Sequence, residues 1–166
     1  MELTPPEFLN AKQLSLGIIS DTHGLLRPEA LQALEGVDVI LHGGDVGREA
    51  ILDELAGIAP VYTVRGNVDY DYWCGQLPNL LTLHLGELKV HMIHDLGHLN
   101  PAHASGVDLV VFGHSHRGEV FEKDGIVFLN PGSAGPRRFT LPITLATLQW
   151  KEGEDKLSPK LIQLLE

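Results

Sequence analysis

At 166 residues, with 12 Lys plus Arg against 22 Asp plus Glu and a formal net charge of -10, the chain can form one substantial core but carries no basic footprint for duplex nucleic acid. Its one cysteine, Cys74, excludes an intrachain disulfide, and no stretch approaches the roughly eighteen apolar residues of a membrane span. Met1 to Gln13 lacks a basic start followed by a long apolar run, so the expectation is a single cytoplasmic domain over 1–166 without signal peptide or membrane contact.

In chain order, the apolar run Ile18-Ile19-Ser20 leads into Asp21-Thr22-His23. A helix is predicted from Pro28 to Glu35, with Pro in its first turn, Leu31 and Leu34 three apart, and Gly36 as its stop. Val39-Ile40-Leu41 then delivers His42-Gly43-Gly44-Asp45. A second helix, Arg48 to Ala56, carries Ile51, Leu52 and Leu55 on one face, with Gly57 as a left-handed cap. Tyr62-Thr63-Val64-Arg65 delivers Gly66-Asn67, and this strand, helix, strand, helix, strand order predicts parallel pairing with right-handed crossovers.

After the irregular loop Asp69 to Pro78 the pattern turns to short strands. Leu80 to Leu85 and Leu88 to Ile93 flank Gly86-Glu87 as a hairpin, ending in His94. Leu109-Val110-Val111-Phe112 ends in Gly113-His114-Ser115-His116. Glu119 to Lys123 and Ile126 to Leu129 flank Asp124-Gly125, a dipeptide suited to a two-residue turn. Ile143 to Trp150 and a last strand around Lys160 to Leu165 complete the set, which reads as α/β, with two sheets or one large mixed sheet and helices outside.

Five of these strands run into metal-ligand side chains, at intervals of 24, 22, 27 and 20 residues from Asp21 through Asp45, Asn67 and His94 to His114. One strand plus its return connection has about this length, which places the clusters at one end of a sheet, where α/β folds bind ligands. Asp21, His23, Asp45, Asn67, His94, His114 and His116 offer carboxylate, amide and imidazole but no thiolate. That set suits Mn, Fe, Co, Ni or Zn. Seven donors exceed one tetrahedral shell, and a shared carboxylate divides them into two incomplete ones, with Asp45 the candidate for sharing.

Asp21-x-His23, Gly44-Asp45, Gly66-Asn67, His94 and Gly113-His114-x-His116 resemble the ordered motifs of the calcineurin-like metallophosphoesterases. Asn130-Pro131-Gly132-Ser133 resembles their short bacterial and archaeal phosphodiesterase branch, and the likeness runs from about Ser15 to Arg138. The resemblance implies a four-layer αββα sandwich with two mixed sheets. It also implies two divalent ions, manganese first among Mn, Ni, Co, Fe and Zn. Asp21, His23, Asp45 and His116 would hold one, and Asp45, Asn67, His94 and His114 the other. The expected activity is hydrolysis of a small phosphate ester, most simply a phosphodiester, by a hydroxide shared between the ions. One position departs from the pattern: many members have a histidine after the Asn, and here Val68 stands there.

Asn67, His98, Asp69 and Arg137 (or its neighbour Arg138) are the candidates for acting on substrate: His98 as a proton source, Asp69 to orient a ligand or water or else to stabilise the turn after Asn67, the arginine to clasp phosphate. His42 is a candidate outer partner of the ligands or a plain structural histidine, and His84, His91 and His103 read as structural. His94-Asp95-Leu96-Gly97-His98 imitates a zinc-peptidase helix but has Asp where Glu is needed and Gly97 within it. Ser115 lacks the flanking pattern of a nucleophile, and Gly43 to Arg48 lacks the lysine of a P-loop. The alternatives are a phosphomonoesterase or nucleotidase, or a noncatalytic scaffold of the same fold such as the eukaryotic retromer subunit. A homo-oligomer is compatible with the sequence.

Overall fold

The strands alternate with two short helices before giving way to hairpins, as the computed structural model shows for residues 1–165. A two-residue strand β1 (Glu2–Leu3) opens the chain. It is followed by β2 (Gln13–Ile19), α1 (Pro28–Ala33), β3 (Val39–His42), α2 (Glu49–Ala56) and β4 (Val61–Thr63). The second half holds the hairpin β5 (Leu80–Leu85) and β6 (Leu88–Ile93), then β7 (Leu109–Val111), β8 (Glu119–Lys123), β9 (Ile126–Asn130), β10 (Ile143–Lys151) and β11 (Lys160–Leu165).

These strands form two mixed sheets, ordered β1-β5-β6-β7-β9-β8 and β11-β10-β2-β3-β4. β2, β3 and β4 pair in parallel, as the alternation of strands and helices predicts. The turn between β8 and β9 has Asp124 and Gly125 at φ 53° and 79°, the left-handed pair expected of a two-residue hairpin. Gly57 differs from expectation: its φ of -68° is right-handed, and its N–H bonds back to Asp53 and Glu54, so α2 needs no left-handed residue to end.

The main core lies between the sheets. Leu16, Ile18, Val39 and Leu41 from one meet Leu83, Val90, Met92, Leu109 and Leu129 from the other. All four residues of β3 are buried, as a central parallel strand covered on both faces requires. Outside the five-stranded sheet, Ala30 of α1, Leu34 just after it, and Ile51 and Leu55 of α2 pack on Ile19, Ile40 and Leu145. The fourth layer, outside the six-stranded sheet, consists of 3₁₀ turns at Leu96–His98 and Pro101–Ala104 rather than α-helices. The ligand clusters therefore leave two sheets and not one: β2, β3 and β4 supply Asp21, His23, Asp45 and Asn67, and β6 and β7 supply His94, His114 and His116.

Candidate metal centre

Backbone conformation singles out the site before any side chain is considered. Seven non-glycine residues among those described have positive φ, and five of them are predicted ligands: Asp21 (55°), His23 (45°), Asp45 (59°), His114 (75°) and His116 (64°). That region is sparsely populated for residues with a Cβ and persists only where the surroundings enforce it. For Asp21, His23 and Asp45 a ladder between the loops after β2 and β3 enforces it, with Asp21, His23 and Gly24 N–H donating to the carbonyls of Gly44, Asp45 and Val46, while His114 N–H donates to the Asp21 carboxylate. Gly44, at φ 101°, lies so close to His94 that a Cβ there would come within 2.6 Å of Nδ1. At Gly66 a Cβ would fall on the Asp45 carboxylate, so both positions require glycine for close approach.

The seven side chains converge as two groups. Asp21 Oδ1 lies 3.4 Å from His116 Nε2 and 3.7 Å from His23 Nε2, and the two imidazole nitrogens are 3.1 Å apart. Asp45 Oδ2 lies 3.1 Å from His94 Nε2, and Asn67 Oδ1 sits 3.0 Å from the same nitrogen and 3.2 Å from His114 Nδ1. Asp45 Oδ2 is also 3.6 Å from His23, so it reaches a histidine of each group. Asp21 faces both as well: one compact donor set is Asp21, His23 and His116, and another is Asp21, Asp45 and His94.

This arrangement suits a cation. His94 Nδ1–H donates to the Gly43 carbonyl at 2.7 Å, which turns Nε2 toward two oxygen acceptors, where either a proton or a metal ion can sit. Acceptors facing acceptors repel unless a positive charge lies between them. Asp21 Oδ1 and His116 Nδ1 are buried without a hydrogen-bond partner, and buried polar atoms are seldom left so. Hard carboxylate and amide oxygens mixed with imidazoles fit a borderline divalent ion.

The same fields shift the titrations. Burial pushes the Asp45 carboxyl up, but hydrogen bonds from His94 and the Val68 N–H, with the His94 and His23 charges, outweigh it and hold the group down to about 2. Burial disfavours charge on His94, yet Asp45 and Asp21 overcome it and raise its pKa. His116 moves the other way, lowered chiefly by burial.

Around the ligands lies a positioning shell. His42 is fully buried; its Nδ1 accepts from Gly44 N–H at 3.1 Å, so Nε2 carries the proton and donates to Thr22 Oγ1, which donates to the Val46 carbonyl. Burial pushes its pKa down to about 4, keeping it a neutral brace for the ligand-bearing loops. Asp69, expected near the substrate, instead accepts backbone N–H from Asp45, Val46, Gly47 and Gly66 at 2.8 to 3.3 Å, which makes it a positioning residue for Asp45. Asn130 ties the loop after β7 through Gly113 O and Ser115 Oγ, and Ser133 Oγ donates to Asp21 O.

A groove of about 550 Å³ opens beside Asn67, His94 and His114 and is walled by Arg65, Tyr70 and His98. His98 is 80% exposed there, 3.7 Å from Asp95 and without contact to a ligand atom. Asp95, noted in the sequence only as a mismatch to the zinc-peptidase motif, also lies 3.9 Å from His114 Nε2; its place directly after His94 was the available signal. Arg137 donates to the Leu141 carbonyl, whereas the charge of Arg138 is the one felt at His116.

Residues 14–153 match the calcineurin-like phosphoesterase superfamily domain. The chain is 33% identical over 174 positions to a probable metallophosphoesterase of Methanocaldococcus jannaschii, covering 96% of this chain and 86% of that protein. It is 28% identical over 141 positions to a phosphodiesterase of the same organism, covering 72% and 83%. Its fold is also that of vacuolar protein sorting 29 from Cryptosporidium parvum, at TM-score 0.73 and 22% identity over 91% of this chain and 98% of that one. With a domain match over most of its length and a curated relative aligned nearly end to end, the chain belongs to the calcineurin-like phosphoesterase superfamily.

Proposed function

We propose that the protein is a metal-dependent phosphodiesterase acting on a small or activated phosphodiester, with two divalent ions, manganese first among Mn, Ni, Co, Fe and Zn. Asp21, His23, Asp45 and His116 hold one ion, and Asp45, Asn67, His94 and His114 the other. When bound, such ions lower the pKa of a water toward neutrality and neutralise charge on phosphoryl oxygens. The carrying observation is the convergence of two compact donor sets, Asp21, His23 and His116 and Asp21, Asp45 and His94, with Asn67 and His114 beside the second.

The chain's own groups then account for substrate choice. A substrate enters by the groove on the Asn67 and His114 side. Val68, whose side chain is 41% exposed, cannot donate a proton to a leaving oxygen, which favours diesters with good leaving groups. His98, exposed on the groove wall beside Asp95, is the candidate donor. Arg138 adds positive charge on the His116 side. A relative named as a phosphodiesterase supports the diester reading. The charge of -10, the buried unpaired Cys74 and the lack of any helix, among the described residues, long and apolar enough to cross a membrane go with a cytoplasmic protein acting on small molecules.

Purified protein assayed with Mn²⁺ on an aryl phosphodiester and its monoester should turn over the diester faster, lose activity to a chelator and regain it with metal. Turnover of neither ester with any of the five metals sinks the proposal. A clear preference for the monoester transfers the site to phosphomonoesterase or nucleotidase chemistry.

A further inference from the structure

The sandwich has two flanks, and only one is closed. On the β1 and β4 flank the N-terminal segment folds over the gap between the sheets, burying Phe8 and bonding Tyr62 to Glu7. On the other flank, β8 and β11 are the bare outer strands of their sheets. There Val120, Phe121 and Leu161 are 41%, 36% and 41% exposed, and a Cβ on Gly118 would touch Leu161 at 3.2 Å, so the two sheet edges abut.

β8 is also self-complementary. The two-residue turn at Asp124-Gly125 makes Lys123 and Ile126 a hydrogen-bonded pair, so Glu119, Phe121 and Lys123 exchange bonds with β9. Val120 and Glu122 therefore aim their N–H and C=O outward. Antiparallel pairing of two such edges about Phe121 sets Val120 against Glu122 of the second copy, outward groups against outward groups. On the outer face Glu119 then meets Lys123 at two places, with Phe121 against Phe121 between them. Phe121 is already stacked on Phe128 with ring centroids 4.9 Å apart, which fixes it for that contact. On the inner face Glu122 is paired with Lys156 at 3.9 Å, which keeps an unpaired carboxylate off the flank.

We propose that this flank binds a second copy of the chain, β8 to β8, joining two six-stranded sheets into one continuous sheet. An edge that exposes apolar side chains and unpaired backbone over five residues, with no proline or bulge to blunt it, is a template for strand addition. Opposite charges at mirror positions restrict that addition to a two-fold pair. A groove of about 650 Å³ on the outer face, walled in part by Phe121, Lys123 and Phe128, would run across the joint from one copy to the other.

Sedimentation of the full-length protein tests this without reference to activity. Wild type should show a reversible dimer. Glu119→Lys, at a half-buried position, and Lys123→Glu, at an exposed one, should each raise its dissociation constant about tenfold by setting like charges opposite one another twice. The double variant should regain the wild-type value, and the two single variants mixed should form the mixed dimer. A protein that stays monomeric up to about 1 mM, or a dimer indifferent to all three variants, overturns the proposal.

Discussion

The two halves of the metal cradle are built differently. On the closed side the side chains of Asp21 and His116 are 0% and 3% exposed, and Asp21, His23 and His116 all sit at positive φ. On the open side the His114 side chain is 47% exposed and Asn67 faces the groove; of Asn67, His94 and His114, only His114 has positive φ. The closed half is held by strained backbone locked in a hydrogen-bond ladder, at a cost of roughly 1–3 kcal/mol per residue that the ladder offsets. The open half relies on side chains touching one another and on the His94 bond to the Gly43 carbonyl, and in the proposed reaction it is the half a substrate reaches. Precise holding and substrate access are thus assigned to different loops.

Asp45 joins the halves, and removing its charge gives the largest effect. Asp45→Asn should lower metal-dependent turnover by about 10³-fold or more while circular dichroism stays unchanged, because the shape survives and the shared anion does not. Retention of most activity would show that Asp21 alone does the sharing. Replacing one histidine from each half separates them further. His114→Ala should keep close to one tightly held ion after dialysis, whereas His116→Ala should lose the closed-side ion and weaken the other, an affinity loss of about 100-fold or more by calorimetry. Equal losses from the two variants would erase the distinction.

Acid should attack the closed half through His42. Its pKa falls from 6.5 in the unfolded chain to about 4 in the fold, so between these values the unfolded chain binds more protons. The stabilisation is complete above pH 6.5 and is lost as pH falls toward 4, amounting to about 3 kcal/mol. Asp45, held to about 2, adds loss in the same direction below pH 3.8. Urea unfolding of metal-free protein at pH 7, 6, 5 and 4 should show this slope, and His42→Asn should flatten it between pH 6.5 and 4.

The seven side chains that converge were legible in the sequence because each follows an apolar run, and a side chain at a strand end is fixed by the strand. Their division between two sheets was not, since spacing along the chain is blind to the crossing from β4 to β5. Asp69 shows a second limit. Its position two residues after Asn67 suggested either chemistry or a brace for that turn; its oxygens are taken by four backbone N–H groups, three of them in the loop after β3, and no pattern of side-chain types reveals where backbone donors turn. The positive φ values at five ligands were equally hidden. Asp and His tolerate that region without the glycine that marks it elsewhere, so the strain left no trace in residue type.

Val68 gives the smallest and most selective test, confined to the open half. Its N–H donates to Asp45 Oδ1 at 3.0 Å, a bond any non-proline residue makes, and its side chain is exposed beside Asn67. Val68→His should therefore leave the ligands in place and add a proton donor facing the groove. General acids matter in proportion to how poor the leaving group is, so an alkyl phosphodiester should gain about tenfold in turnover. An aryl diester, whose leaving group departs without help, should change little. The gain should follow an ionisation near the ordinary histidine range, and His98→Ala in the same background should then cost less than it does in the wild type. An equal gain on both esters would mean that the added ring acts by contact and not by proton transfer, and His98 would lose its part in the reaction as well.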